Sequence, residues 1–319
     1  MSPAERVTSI VADPLNLIWI MPAEGSTTGF GNADPSRSAF FIWVKDTMRL
    51  DIDRFTKILW TVRQRQPIIH AITNWVTAND VASALHAVGA RPIMAFTPEE
   101  VKEIASGADA LVLNLGTPSP LGIESMLRAG HQAVTLGHPV IFDPVGVGAS
   151  PFRMNASKRI VTELRLTVIK GNRAEIGFLT GRGGKLAGVD AVTGPEDLLT
   201  TAEHLSSTSG AVVAISGPQD LIVFADQKVI VENGHPMMAR VTGLGCILTG
   251  LIGAFAAVEN DPLAATVGAV AFFGLAGEQA ALQAKGPGTF KTTLLDILFT
   301  LTPEEMGQGI KLREETLGG

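Results

Sequence analysis

The chain reads as a three-layer α/β/α sandwich around a mostly parallel sheet, and two observations predict this. From about residue 51, short β-branched or apolar runs alternate with helical segments. Strands that alternate with helices argue for a largely parallel sheet with helices on both faces. Polar and glycine residues then gather at the ends of those runs, where such sheets bind their ligands. The strand ends read AITN (71–74), IMAF (93–96), LNLGT (113–117), FDPVG (142–146), IKGN (169–172) and AISG (214–217).

Residues 1–50 stand apart. They hold Pro3, Pro14, Pro22, Pro35 and a Gly/Ser/Thr patch over 25–36, with no sustained period, and are expected to form an extension with no recognised domain. Residues 51–319 form the main domain. Its strands are expected at PIIHAIT (67–73), RPIMAF (91–96), ALVLNL (110–115), PVIFDPV (139–145), LTVIKGN (166–172) and AVVAISG (211–217). TPEEVKEIA (97–105) carries the marks of a helix start: Thr97 as N-cap, Pro98 in the first turn and Glu100 closing a capping box. NASKRIVTELR (155–165) and GPEDLLTTAEHLSS (194–207) read as amphipathic helices. LIVFAD (221–226) and KVIVEN (228–233), with Gln227 between them, read as a hairpin appended to the sheet. The apolar run 243–258 falls short of the ~20 residues that cross a bilayer, so a buried core helix is expected. LNLIWIM (15–21) lacks a basic region before it, and neither signal peptide nor membrane anchor is expected.

Composition narrows the function. Apolar residues make up 46 % and charged residues 18 %, enough for a sizeable core. The formal net charge is −6 with no basic stripe, which argues against nucleic acid as a partner. A single cysteine forms no internal disulfide and suits a cytoplasmic setting. The six histidines show no zinc-site spacing, and neither a P-loop nor a GxSxG elbow occurs.

That lone cysteine, Cys246, lies in VTGLGCILTG (241–250), where a loop becomes an apolar helix. Gly243, Leu244, Gly245 and Cys246 expose backbone N–H groups at the positive end of a helix, a cradle for an anion such as a transferring phosphoryl group. A thiol there is expected to have its thiolate favoured and to accept a proton from a substrate hydroxyl. The same residues also read as a small buried cysteine in a close-packed glycine turn. Asp143 in FDPVG and Glu175 in KGNRAE are acids at strand ends, as Mg²⁺ shared with nucleotide phosphates requires, or else a turn aspartate and a helix glutamate. Asn74 is suited to bond a hydroxyl or ring nitrogen and Met94 to wall a small aromatic ligand, although each also reads as a turn or core residue.

Taken in order, QPIIHAITNWVTANDVASALHAVGARPIM, ALVLNLGT, VIFDPVGVGASPFR, VIKGNRAEI, VAISGPQD, NGHPMMARVTGLGCILTGLIGAFAAVEN and KGPGTFKTTLLD resemble the hydroxyethylthiazole kinases of the ribokinase-like superfamily over roughly residues 55–300. The resemblance implies ATP- and Mg²⁺-dependent phosphorylation of 4-methyl-5-(2-hydroxyethyl)thiazole in thiamine salvage, by a homotrimer with active sites at subunit boundaries. It implies thiazole contacts at Met94, Gly243, Asn74 and Val76, ATP contacts at Lys170 and Ser216, a metal–phosphate role for Asp143 and Glu175, and Cys246 beside the substrate hydroxyl. Lys170 replaces a frequent arginine and loses its bidentate fork. Ser216 replaces a frequent threonine and keeps the hydroxyl. Leu244 stands where Ala or Thr is usual and is expected to border and narrow the phosphate turn; Trp75 is likewise bulky for its place. Kinases of another small vitamin-type alcohol, or a non-catalytic nucleotide-binding relative, are the alternatives.

Overall fold

The computed structural model describes residues 51–187 and 190–314, with only the backbone given over 185–187 and 190–192. The extension expected over 1–50 lies outside the described residues, which belong to the unit Met48–Gly319.

Helix α1 (Ile52–Arg65) leads into β1 (Ile68–Ile72), α2 (Ala78–Val88) and β2 (Arg91–Ile93). Next come α3 (Val101–Gly107), β3 (Ala110–Asn114), α4 (Pro120–Leu136), β4 (Val140–Asp143), α5 (Pro151–Glu163) and β5 (Val168–Asn172). The short α6 (Arg173–Leu179) precedes an antiparallel ribbon, β6 (Lys185–Ala187) and β7 (Asp190–Thr193), and then α7 (Leu198–Ser209). The chain continues through β8 (Val212–Ser216), β9 (Asp220–Phe224) and β10 (Gln227–Val231). It closes with α8 (Leu244–Ala256), α9 (Pro262–Gln283), α10 (Pro287–Thr300), α11 (Pro303–Gly309) and β11 (Leu312–Glu314).

Among the described residues the main sheet runs β11-β10-β9-β8-β5-β4-β3-β1-β2. Strands β2 through β8 in that order are parallel, and β9, β10 and β11 are antiparallel additions. Alternation along each strand splits the interior into two cores. Ile69, Ala71, Val112, Ile141, Val168 and Val212 face α1, α2, α8, α9 and α10. Leu111, Leu113, Val140, Phe142, Ile169 and Val213 face α3, α4, α5 and α7. This is the expected three-layer sandwich.

Local chemistry moved several boundaries. Thr97 caps no helix: its carbonyl accepts from Glu100 and Val101 N–H, closing a turn, and α3 begins at Val101. Strand β2 stops at Ile93, so 94–96 run as an irregular segment. Helix α5 starts before the expected 155, because Ser150 caps it and Pro151 opens it. The β-hairpin turns on Ala225 and Asp226, with Ala225 at φ 53°, and Gln227 already belongs to β10.

Two apolar helices rather than one fill the core behind the sheet. Every residue of α8 from Ile247 to Ala256 is buried. A helix apolar all round belongs in an interior. Helix α9 has the length and hydropathy of a membrane span, but 89 % of its most apolar window is buried within the fold, which makes it a core helix. Helix α8 lies close on β3: a Cβ at Gly253 would stand 2.7 Å from Val112 Cγ2. Gly253→Val is therefore expected to overpack this contact and lower unfolding stability by about 1–3 kcal/mol, read as a lower urea midpoint with an unchanged slope.

Candidate active site

Four polar side chains continue the apolar rows that face α8. Asn114, Asp143, Lys170 and Ser216 each lie an even number of residues beyond Val112, Ile141, Val168 and Ala214, so the two-residue period directs them to the same face at the carboxyl ends of β3, β4, β5 and β8. Asn114 and Asp143 are paired across the strands. Helix α8 begins above them.

Lys170 and Asp143 form the centre. Lys170 Nζ stands 3.8 Å from Asp143 Oδ2 and donates to Gly245 O at 3.2 Å. A Cβ at Gly245 would come within 2.9 Å of the same nitrogen, so the ammonium lies directly under the first turn of α8. Asp143 Oδ2 also accepts from Thr249 Oγ1 at 2.7 Å and Asn114 Nδ2 at 2.9 Å. Its Oδ1 is buried without a hydrogen-bond partner. Burial pushes the Asp143 carboxyl up, against Lys170, Thr249 and Asn114, which pull it down. Burial lowers the Lys170 ammonium, but Asp143, Glu175, Cys246 and Asp220 together outweigh it and leave the pKa raised, so the lysine stays charged.

From there a chain of amides reaches the thiol. Asn114 Oδ1 accepts from Asn74 Nδ2 at 2.9 Å and from Gly116 N at 2.9 Å. Asn74 Nδ2 also donates to Cys246 Sγ at 3.3 Å, while its Oδ1 receives the N–H groups of Val76 and Thr77 at 3.1 Å. Arg153, at the start of α5, ties the loops after β3 and β4 by donating to Leu115 O, to Gly116 O at 2.7 Å and to Val145 O at 2.8 Å.

Gly243 is the N-cap of α8 at φ 93°, a conformation that side-chain-bearing residues rarely adopt. Ile247 N–H makes the first bond of the helix, to Gly243 O at 2.9 Å. The N–H groups of Leu244, Gly245 and Cys246 precede it and point out of the helix end, as helix geometry dictates. The Leu244 side chain is buried at 5 % exposure in the apolar core, because an apolar side chain in the first turn rotates to the core side. The thiolate of Cys246 is not favoured overall either. Burial, then the charge of Asp143, push the thiol up, and they outweigh Lys170 and the hydrogen bonds of Thr77 and Asn114, which pull it down. Desolvation thus reverses the ionisation expected of a thiol at a helix start.

Glu175 sits at the start of α6, directly after the strand that carries Lys170. Its two oxygens accept from Gly146 N and Asn172 N, each at 2.8 Å, the second completing a capping box with Asn172. Burial, then repulsion from Asp143, push its carboxyl up to about 7. Ser216 ends β8 and donates to Gly171 O at 3.4 Å. Met94 is half-buried beside the core that also receives Cys246, and Val76 is 68 % exposed. No hydrogen bond joins either side chain to the Lys170 network among the described residues. Asn114, Thr249, Arg153 and Thr77 were not singled out from the sequence. Asn114 continues the row of Val112, and Thr249 follows Cys246 by three residues on α8, so both were traceable by periodicity alone.

The model of the hydroxyethylthiazole kinase family matches residues 59–304. The chain belongs to the hydroxyethylthiazole kinase family. Hydroxyethylthiazole kinase of Thermoanaerobacter pseudethanolicus is 46 % identical over 261 residues, covering 81 % of this chain and 99 % of the relative. The solved structure of the hydroxyethylthiazole kinase protein from Pyrococcus horikoshii superposes with a TM-score of 0.75 at 37 % identity, over 82 % of this chain and 98 % of that one. A ribokinase-like superfamily protein from Enterococcus faecalis, 15 % identical, shares the fold with a TM-score of 0.55 over 78 % of this chain and 95 % of its own.

The raised carboxyl of Glu175 has a consequence for stability. Between its ordinary value of 4.5 and about 7 the folded chain holds more protons than the unfolded one, so this group makes stability fall as pH rises through that window. Its share is on the order of 3 kcal/mol. Glu175→Gln, which leaves one backbone N–H facing an amide nitrogen that cannot accept, is expected to be less stable at pH 5 but to lose less on going to pH 7.5, in urea unfolding at both values.

Proposed function

We propose that the protein transfers the γ-phosphoryl group of ATP to the primary alcohol of 4-methyl-5-(2-hydroxyethyl)thiazole, a step of thiamine salvage. Family membership supports the reaction, with ATP as co-substrate. The observation that carries the assignment of roles is the joining of a thiol, a buried charged lysine and the N-terminus of α8 through Asn74, Asn114 and Asp143. An acceptor hydroxyl and an anion are thereby served within one turn of helix.

In this reading the ring lies between Met94 and Val76, near Gly243, and Asn74 orients the hydroxyethyl arm toward Cys246. Lys170 and Ser216 meet the nucleotide. The alcohol oxygen attacks the γ-phosphorus in line, its proton passes to Cys246 Sγ, and the bond to ADP breaks. Lys170 and the N–H groups of the 244–246 turn spread the developing charge, which is most of the work in a loose transition state. Burial holds the resting thiol up, so it is the thiolate form of Cys246 that takes this proton, and turnover is expected to rise with pH as that form becomes populated.

Mg²⁺ fits the acidic corner. Asp143 keeps a buried oxygen with no partner, and burial pushes both Asp143 and Glu175 up, with Asp143 adding to the shift of Glu175. No cluster of three or more His, Cys, Asp or Glu able to hold a metal occurs among the described residues, so the ion would share its shell with phosphates and water, as Mg²⁺ does in kinases. Bound there, it would neutralise phosphate charge. A homotrimer is supported by the apolar rim beside the site, where Trp75, Val76 and Leu121 are exposed and Trp75 packs on Phe96 with ring centroids 4.7 Å apart. Use of ATP and a single unpaired thiol support a cytoplasmic setting.

A coupled ADP-release assay tests the reading. Turnover is expected on the thiazole alcohol and much less on a hydroxymethylpyrimidine; the reverse order would reassign the substrate. Cys246→Ala is expected to lower kcat about a hundredfold with the KM for ATP unchanged, and full turnover would remove the thiol from the reaction. Because the site residues lie between 74 and 249, a chain beginning at Asp51 is expected to keep full kcat/KM and the mass of a trimer by light scattering.

A further inference from the structure

His70 interrupts the apolar run of β1, and its side chain is fully buried. Its neighbours Ile69 and Ala71 face α8, so the two-residue period turns His70 to the opposite face, with Leu111 and Ile72. The ring nitrogen Nε2 lies 3.0 Å from Ala95 O, whereas Nδ1 is buried with no hydrogen-bond partner. Burial holds the imidazole below its ordinary value, against Ala95 O and Glu100, which pull it up, so the ring is neutral at pH 7. A neutral ring carries one N–H, and a carbonyl partner requires it on Nε2. An aliphatic side chain would fill this place without stranding a nitrogen. What the imidazole adds is a donor for Ala95 O.

That carbonyl belongs to the segment that carries Met94. Strand β2 is the edge of the sheet, and its ladder with β1 ends at the pair His70–Ile93. Beyond it, side chains hold the main chain in place of a neighbouring strand. His70 takes Ala95 O, and Ser125 Oγ, from α4, donates to Phe96 O at 2.7 Å. The Phe96 ring packs on Trp75, which joins this segment to the loop of Asn74 and Val76. With two successive carbonyls fixed from the α4 side, Met94 is turned to the other face, where it packs on the core that also receives Cys246.

We propose that His70 is a positioning residue for the acceptor alcohol: its Nε2–H holds Ala95 O from the face opposite α8 and thereby fixes Met94 as a wall that selects the thiazole ring. The inference rests on the phosphotransfer reading above. His70 touches neither substrate nor nucleotide in this arrangement and keeps its proton throughout. It acts on binding of the alcohol and not on the transfer itself.

Two variants of the full-length protein separate the donor from the volume it fills. His70→Leu removes the N–H and keeps an apolar filling. It is expected to raise KM for the thiazole alcohol about tenfold, with kcat and KM for ATP unchanged, and to narrow the preference over a hydroxymethylpyrimidine. A loss of folded protein would lower apparent kcat and leave the KM for one substrate alone. His70→Gln places an amide N–H near the position of Nε2 and is expected to stay within about twofold of the native KM. Without any substrate, hydrogen exchange of peptides spanning 91–97 is expected to quicken in His70→Leu and return to the native rate in His70→Gln. If leucine is not accommodated, as judged by circular dichroism, His70→Phe takes its place against the same glutamine control. A native KM for the alcohol in the donor-deleted variant overturns the proposal, as does a glutamine variant impaired as much as it, or a fall in kcat alone. A native protein that turns over no thiazole alcohol would defeat the functional reading instead. The exchange rates then decide the clamp by themselves: quickened and restored sustains it, unmoved overturns it.

Discussion

A lysine and an aspartate held out of water beneath the end of a helix set the terms for the rest of this molecule. Taking two such charges into an interior is costly, and their attraction repays it only when further hydrogen bonds complete both. Asp143 is completed by Thr249 and Asn114, and Lys170 by Gly245 O. Those partners come from β3 and α8, so satisfying one ion pair fastens β3, β4 and β5 to α8. The completion is partial, because one Asp143 oxygen still lacks a partner. A pair tuned only for stability would not leave that atom bare. In the proposed function, that shortfall is what a cation and phosphates would fill.

The same constraint explains the glycines and the thiol. With an ammonium under the first turn, residue 245 has no space for a side chain without displacing Lys170, and the turn can reverse only through the positive φ of Gly243. Cys246 is then placed where helix dipole, lysine and amide all favour its thiolate, while burial and Asp143 disfavour it. The balance falls toward the thiol. In the proposed reaction only the ionised minority of this sulfur takes up the proton of the alcohol. Rigid backing comes from α8 and α9, which are buried nearly all round and leave the helix mouth little freedom to shift.

Much of this was legible before any coordinates. Alternation of strand and helix gave the sandwich, and the residues ending each strand marked the working edge. Asp143, Lys170, Glu175 and Cys246 were visible because charged or reactive groups interrupt apolar runs at those ends. Asn114 was harder, since an amide closing ALVLNL looks like an ordinary turn residue until its two-residue period is followed across to Asp143. Thr97 misled because a capping signature competes with a tight turn, and the turn won by using the Thr97 carbonyl twice. Leu244 misled because adjacency in sequence was taken for adjacency in space, whereas successive helix residues point about 100° apart.

Composition, strand periodicity and helix-end chemistry are local, and the sequence by itself determined what depends on them: the layer architecture, the family and the edge where the polar side chains gather. Only the tertiary structure decided the protonation tendencies of Cys246 and Glu175 and the burial of Leu244. Those depend on how much water is excluded and which charges meet across elements distant in the chain, and desolvation is a property of the packed interior that no short stretch of residues carries alone.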